Sequence, residues 1–353
     1  MSLKIAIIAD DLTGALDTGT PFVQAGLTVR VAVDAAATAE ALAAGPDVLV
    51  VNLASRALSP QAAAERMREV AELLREAEPA ILLKKIDSRL KGNAGAESAA
   101  LAKVFGRAGL VVAPAVPDQG RLTENGHVVG RGVDQPLPIA PVFSGFGIDV
   151  DVGDAAHDDH LDRLVQTHDW AEQVAVGARG LGSAFARHLA DNIECDVAFT
   201  STPETLFAFG SRDPITMAQM DALGAGGLLR HVVEAPHGRV PEDVVFSLPA
   251  LLRCAGDLAE DAETVARRFA IGVKSVVETS RPAMLMMGGG DTALAILQAL
   301  GARVLVPSGE IEAGVPWFEV TLADGRAMRC AVKSGGFGGP RSLLRLIPEI
   351  AVE

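Results

Sequence analysis

Through residue 115 the chain alternates short, β-rich apolar runs with helical segments, and few folds accept that pattern. The runs KIAIIA, TVRVAV, DVLVVN, AILLKKI and GLVVAPA are separated by stretches rich in Ala, Glu and Arg, such as SPQAAAERMREVAELLREA. Strands alternating with helices imply a parallel sheet with crossover helices on its faces. Within 60–77, Ala63, Met67, Val70, Leu73 and Leu74 recur at helical spacing and give one apolar face, the mark of a surface helix. At 353 residues the chain exceeds the roughly 250–300 over which a single core keeps growing. The expected fold class is α/β with two domains, each a mostly parallel sheet flanked by helices, and a cleft between them. The turn-rich EAPHGRVPEDV places the expected boundary so that the domains run 1–235 and 236–353.

From Pro114 to about Asp154 the alternation dissolves into a Gly/Pro-rich stretch, and loops of that length are usually functional or mobile. A second series follows: DHLDRLVQ, QVAVGA, GLGSAFARHLA, DVAFTS, LFAFGS, MAQMDALGA and LLRHVVE. The C-terminal part carries a helix near 257–279, the strand PAMLMM, the helix TALAILQALG and a final hairpin, WFEVTL-ADGR-AMRCAVKS.

Charge and cysteine usage exclude several functions. With 31 basic against 45 acidic residues, the net charge of −14 argues against nucleic acid as a partner, because phosphate backbones select basic surfaces. Cys195, Cys254 and Cys330 lie far apart without metal-ligand spacing, so neither a disulfide framework nor a zinc site is expected. The N-terminal MSLKIAIIADD is too short and too acidic for a signal peptide or a membrane span. A cytoplasmic protein with no membrane partner is expected. The oligomeric state stays open, a homodimer included.

Four segments carry the candidate chemistry. In ADDLTGA, Asp10 and Asp11 stand at the carboxyl edge of a buried strand, and Asp11 or Thr13 can cap a helix whose free N–H groups favour an anion. Capping needs one acid, so the second carboxylate is a candidate metal ligand or general base. KKIDSRLKGN repeats the arrangement with Asp87, Ser88, Arg89, Lys91 and Asn93, a set suited to an anionic, hydroxylated small molecule. Arg121 and His127 follow in the loop after GLVVAPA. In GGGDTA, Gly289 and Gly290 allow close backbone approach to a phosphate, and Asp291 and Thr292 open a helix behind it. KSGGFGG, with Gly335, supplies a flexible second wall but matches no Walker A pattern.

Taken in order, these motifs resemble the four-carbon acid sugar kinase family. Its members look like ADDLTGA, K-x-DSTLRGN, APAFP-x-x-GR-x-T-x-x-G, GS-x-S-x-x-T-x-x-Q, GG-[DE]-T and K-x-GNFG. Here these stand as Ala9–Ala15, Lys85–Asn93, Ala113–Gly126, Gly210–Gln219, Gly289–Thr292 and Lys333–Gly338. The resemblance implies an N-terminal domain for a sugar acid, a C-terminal domain for ATP, and phosphorylation of threonate, erythronate or a 3-oxo relative. It implies ATP contacts at Ser211, Gly289, Gly290, Asp291, Thr292 and Gly335. Asp10, Asp11, Asp87, Ser88, Asn93 and Arg121 fall on the substrate side.

Mg²⁺ is the expected partner of ATP, with Asp291 or an N-terminal aspartate sufficing as its protein ligand. The substrate carboxylate is expected on Arg89, Lys91 or Arg121, and the acceptor hydroxyl at Asp11 or Asp10. A sensor that binds a sugar acid or nucleotide without turnover is the alternative. Four departures from the family stand out: Arg89 for threonine, Lys91 for arginine, Asp213 for the second serine of GS-x-S, and Gly336 for asparagine. The segment after His127 is also shorter than in the family.

Overall fold

The computed structural model describes residues 3–190, 198–241, 246–257 and 260–348. They form two compact units, 1–196 and 197–353. The first contains β1 (Ile5–Ala9), α1 (Leu12–Gln24), β2 (Val29–Ala32), α2 (Thr38–Ala43), β3 (Val48–Asn52), α3 (Pro60–Arg75), β4 (Ile81–Lys85), α4 (Ala94–Phe105) and β5 (Gly109–Ala113). It continues through β6 (Arg121–Glu124), β7 (His127–Gly130), β8 (Leu137–Pro138), β9 (Asp149–Val152), α5 (Asp158–Thr167), β10 (Gln173–Gly177) and α6 (Arg179–Leu189).

Its main sheet runs β2-β3-β1-β4-β10-β5-β9, every pair parallel. Strands β1, β3, β4 and β5 are buried along their whole length, as runs covered on both faces must be. Helix α1 tolerates burial because it is built from small residues: a Cβ on Gly19 would lie 2.9 Å from Val50, so the glycine lets the helix approach β3.

The stretch 114–154 is not the structureless loop expected of it. It folds into an antiparallel sheet, β6-β7-β8, and then supplies β9 to the edge of the main sheet. The turn between β6 and β7 is Asn125-Gly126, both with positive φ (49° and 73°). Asn-Gly is the dipeptide that two-residue hairpins prefer, so the signal was present in ENGH.

The second unit contains β11 (Thr205–Phe209), α7 (Pro214–Ala225), β12 (His231–Pro236), β13 (Ala250–Ala255), α8 (Ala262–Ser280), β14 (Met284–Gly288), α9 (Gly290–Ala299), β15 (Val304–Glu310), β16 (Pro316–Thr321) and β17 (Ala327–Lys333). Its sheet runs β12-β13-β11-β14-β17-β16-β15, parallel from β12 to β17 and antiparallel across the final hairpins. Phe207, Phe209, Met284, Met286 and Trp317 anchor its core.

The units divide at 196/197, before LFAFGS, whereas the sequence expectation put the boundary at 235/236. The reason is strand pairing: β11 lies between β13 and β14, so residues 205–209 belong to the second core. DVAFTS begins in residues outside the described ones, and 198–202 is irregular. Cys195 also lies outside them. No helix among the described residues is long and apolar enough to cross a membrane.

Candidate active site

Chain order decides where each unit can bind a ligand. From β1 the first unit extends to β3 and β2 on one side, then returns to the other side of β1 as β4. Ligands in open α/β sheets bind beyond the carboxyl ends of strands at such a reversal. The second unit reverses in the same way between β11 and β14.

At the first reversal Asp11 caps α1, its Oδ1 accepting from the Gly14 amide at 3.0 Å and its Oδ2 from Thr13 Oγ1 at 2.7 Å. Gly14 leaves room for this, since a Cβ there would lie 2.5 Å from Asp11 Oδ1 and 2.6 Å from Lys85 Nζ. Asp10 is buried, and both its oxygens are taken by Arg56, through Nε at 2.7 Å and Nη2 at 3.0 Å. Arg56 Nη1 also donates to Asp11 Oδ2 at 2.9 Å and stands 4.0 Å from Asp87 Oδ2.

One guanidinium thus ties together the three expected carboxylates. Burial would raise the Asp10 carboxyl, but Lys84, Arg56 and Lys85 outweigh it and hold it below the ordinary 3.8. Burial works against the Arg56 charge, yet Asp11, Asp10 and Asp87 together hold its proton more tightly than usual. Sequence reasoning missed Arg56. Its signal is an arginine shortly after the strand DVLVVN, in NLASR, but only the β1–β3 pairing brings it to Asp10.

Beneath this layer Lys84 is fully buried, donating to the carbonyls of Ile8 (3.3 Å) and Lys85 (2.8 Å) and pairing with Glu97 Oε2 at 3.0 Å. Glu97 Oε1 accepts from Ser55 Oγ. A buried pair supported this way fixes the edge from which Asp10 and Asp87 project.

The KKIDSRLKGN residues separate into two roles. Asp87 Oδ1 accepts from the Arg89 amide at 2.9 Å, while its Oδ2 makes no hydrogen bond among the described residues. Ser88 Oγ accepts from Arg121 Nη1, which brings β6 to the loop after β4. Asn93 has a tethering role: its Nδ2 donates to the carbonyls of Ser55 (3.1 Å) and Leu58 (3.0 Å), fixing the loop after β3. Arg89 and Lys91 are exposed and form no ion pair among the described residues. His127 is not drawn into this group. It sits at the turn end of the β6-β7 hairpin opposite Glu124, while Arg121 sits at the other end, and its Nδ1 contacts the Asn125 carbonyl at 2.7 Å.

At the second reversal Gly289 caps α9 with φ 93°, a conformation that favours glycine, and a Cβ there would stand 3.5 Å from the Ser211 amide. Gly290 and exposed Asp291 begin the helix, and Thr292 is buried against Gly210. Gly335 lies over Ser211 and Asp213, where a Cβ would come within 3.1 Å of Ser211 Oγ and 2.8 Å of Asp213 Cβ. Asp213 caps α7, its Oδ1 accepting from the Ile215 amide at 2.9 Å. Of the nucleotide residues expected from the resemblance, Ser211, Gly289 and Gly335 therefore share one neighbourhood, and Gly290, Asp291 and Thr292 continue it into α9.

The 334–339 loop is less free than its glycines suggested. Thr216 Oγ1 donates to the Gly335 carbonyl at 2.8 Å, and Gln219 Nε2 to those of Phe337 (3.1 Å) and Gly339 (2.8 Å). Buried Lys333 Nζ reaches Thr216 Oγ1 at 3.0 Å and the Ser334 carbonyl at 2.9 Å. Burial pushes the Lys333 ammonium down to about 8 from 10.5, against the partial opposition of Asp213 and Glu312. Between those values the unfolded chain holds a proton that the folded chain has released, so stability should rise with pH across about 8 to 10.5. Below about 8 the lysine's unfavourable contribution is constant. Urea midpoints measured through this window should rise more steeply for the natural chain than for Lys333→Met. Parallel slopes would refute the assignment.

Comparison with known proteins adds a separate line of evidence. Residues 5–141 match the family model of a sugar-binding N-terminal domain, and residues 239–343 that of a nucleotide-binding C-terminal domain. The chain is 31% identical to a D-threonate kinase of Bordetella bronchiseptica, over 97% of this chain and 96% of the relative. It is 27% identical to a D-threonate kinase of Salmonella typhimurium, over 97% of each. A 3-oxo-tetronate kinase of Methylobacterium radiotolerans is 26% identical over 96% of this chain and 97% of its own. Among solved structures, a Salmonella typhimurium protein superimposes with a TM-score of 0.75 at 18% identity, covering 98% of both chains. A Haemophilus influenzae protein superimposes with 0.67 at 19% identity, covering 97% of this chain and 98% of that one. At those identities the two structures show a shared fold.

Proposed function

We propose, from the premise that this chain belongs to the four-carbon acid sugar kinase family, a division of labour between its two strand edges. The chain is a kinase of four-carbon acid sugars, and the proposal concerns which residues do what. The first unit holds the sugar acid and the second holds ATP. The observation that carries this reading is the edge of β1 and β4, where Asp87 keeps an oxygen that makes no hydrogen bond among the described residues, beside Arg89 and Arg121, which form no ion pair among them.

Asp87 is the residue that orients the acceptor hydroxyl and takes its proton. Both Asp10 oxygens are occupied by Arg56, and Asp11 already accepts from Gly14, Thr13 and Arg56. Asp87 Oδ2 is the carboxylate oxygen left for substrate. Ser88, Arg89 and Arg121 hold the acid group through charge-assisted bonds, with Lys91 adding charge. At the other edge Gly289, Gly290 and the first turn of α9 offer backbone N–H groups to the phosphates, with Ser211 and Gly335 as walls.

Among the described residues no group of three carboxylates, histidines or cysteines could hold a metal ion by itself. That fits Mg²⁺, which keeps several waters, travels on phosphate oxygens and needs one or two protein carboxylates. Exposed Asp291 in the first turn of α9, and Asp213, fit that need. Held there, the ion would supply positive charge to the phosphates during transfer.

The test is coupled ADP release across the D- and L-threonates, the D- and L-erythronates and the 3-oxo-tetronates. At least one should give Mg²⁺-dependent turnover, and silence from folded protein across the whole set would sink the reading. Gly289→Val provides the control for the nucleotide edge. A β-branched residue at φ 93° is strained and fills the space before Ser211, so calorimetry should show ATP binding lost and sugar-acid binding kept. Unchanged ATP affinity would move the phosphate site elsewhere.

A further inference from the structure

A cavity of about 610 Å³ opens between α3 and α4 in the first unit, and none of the residues given a role above lines it. That volume falls within the roughly 300–1,000 Å³ usual for small-molecule sites. Ala64 on α3 and Ala96, Ala99 and Ala100 on α4 keep the two helical walls low, and Phe146 and Ile148 close a third side. The third wall is anchored. Ile139 and Phe143 before it are buried, and Gly95 lets the segment lie directly on α4, since a Cβ there would stand 2.2 Å from the Val142 carbonyl oxygen and 2.7 Å from the Phe146 ring. Phe146 nonetheless stays 44% exposed at the cavity edge.

The polar lining is cationic. Arg68 on α3, Lys103 on α4 and Arg107 just beyond α4 face Glu65, the one carboxylate among the described lining residues. Glu65 already accepts from Arg68, three residues along the same helix. Arg107 is half-buried, and its Nε, itself buried, makes no hydrogen bond among the described residues. A buried donor without an acceptor is destabilising, and an anion in the cavity would satisfy it. In a chain of net charge −14, a concave wall with a local excess of positive charge concentrates small anions at one place.

Both helical walls also reach the edge of β1 and β4. Arg66 of α3 donates through Nη1 to the carbonyls of Leu53 at 2.8 Å and Ala54 at 3.1 Å. At the start of α4, Asn93 holds the carbonyls of Ser55 and Leu58, and Glu97 joins Ser55 to Lys84. The segment 53–58 that the two helices grip carries Arg56, the guanidinium on Asp10 and Asp11. What sits between α3 and α4 therefore bears on the residue that orders those carboxylates.

We propose that this cavity is a regulatory site for a small anion with an apolar, ring-sized body, an aryl carboxylate or aryl phosphate, whose binding braces α3 against α4 and tightens the sugar-acid site. Arg107, Lys103 and Arg68 take the anionic group, and the alanine faces with Phe146 take the ring. The inference rests on the reading of the β1 and β4 edge as the sugar-acid site and adds to it a second ligand.

Calorimetry on the full chain with phenyl phosphate and phenylacetate, and with benzyl alcohol as their uncharged counterpart, tests the site without any need for turnover. At least one anion should bind, and benzyl alcohol should bind about 10-fold or more weakly. Arg107→Gln, which removes a charge-assisted bond, and Ala99→Phe, which fills the space, should each weaken the anion on the order of 10- to 100-fold. Both variants should keep the natural affinity for ATP, which shows that they are folded. Lys103→Gln, at an exposed position, takes the place of Ala99→Phe if that variant does not fold. Saturating anion should tighten tetronate binding by roughly 5-fold or more in the natural chain and leave it unchanged in Arg107→Gln. Failure of both anions to bind, binding that the variants leave intact, or tetronate affinity unmoved or weakened by the anion would each overturn the proposal. Variants that change the oligomeric state in light scattering, with neither anion bound by the natural chain, would overturn it in favour of a second copy covering the cavity. If every tetronate binds without turnover while the anion still tightens it, the kinase reading fails and the regulatory site stands.

Discussion

Replacing Asp87 with Asn should lower kcat by about 10²- to 10⁴-fold, the usual contribution of a positioned general base, while leaving folding nearly untouched. Asn keeps the oxygen that accepts from the Arg89 amide, so the turn after β4 survives. What it loses is the negative charge and the second carboxylate oxygen, the one that makes no hydrogen bond among the described residues. Binding of the sugar acid and of ATP should persist in calorimetry, which separates a catalytic loss from a structural one. Asp11→Asn offers the contrast. Asn is a good helix cap, and the remaining Asp11 bonds serve α1 and Arg56, so its turnover should fall less than that of the Asp87 variant. If Asp87→Asn turns over normally and Asp11→Asn does not, the proton acceptor is Asp11.

Arg56→Met should cost roughly 1.5–3 kcal/mol of stability, the scale of lost hydrogen bonds to a charged group, because Arg56 is only half-buried while the Asp10 it serves is buried. Asp10 would keep Lys84 and Lys85 nearby but lose both hydrogen bonds to its oxygens. The pH dependence should change as well. In the natural chain the Asp10 carboxyl titrates below its ordinary 3.8, so its contribution is present above that value and is lost as pH falls through the folded one. Without Arg56 that depression weakens and burial pulls the carboxyl upward, so the variant should lose stability at a higher pH on acidification. A double variant, Asp10→Asn with Arg56→Met, removes the stranded charge and should recover part of the loss. A single variant whose urea midpoint matches the natural chain would show that Arg56 is not the keystone of this edge.

How much of this was legible in the sequence follows from the range of each interaction. Apolar runs of strand length alternating with amphipathic helices announce buried parallel strands, because burial of a strand or a helix face is a local property of composition and period. The positions just after such runs are then fixed as strand ends, which is why Asp10, Asp11, Asp87, Ser88 and Gly289 could be named. The cap at Asp11 was equally local. Asn125-Gly126 was a local signal too, and the small sheet it nucleates was hidden by the glycines and prolines around it.

The tertiary structure alone decided what depends on which strand lies beside which. Arg56 meets Asp10 because β3 pairs with β1, and Glu97 meets both Lys84 and Ser55 because α4 and the loop after β3 converge beneath that edge. Asn93 became a tether, and β11 went to the second core, for the same kind of reason. Periodicity records whether a segment is covered, and it is blind to what covers it. The neighbours of a strand end are set by sheet order and register, which arise when distant segments compete for the same hydrogen-bonding edge and the same apolar face, and that competition is resolved only in the folded chain.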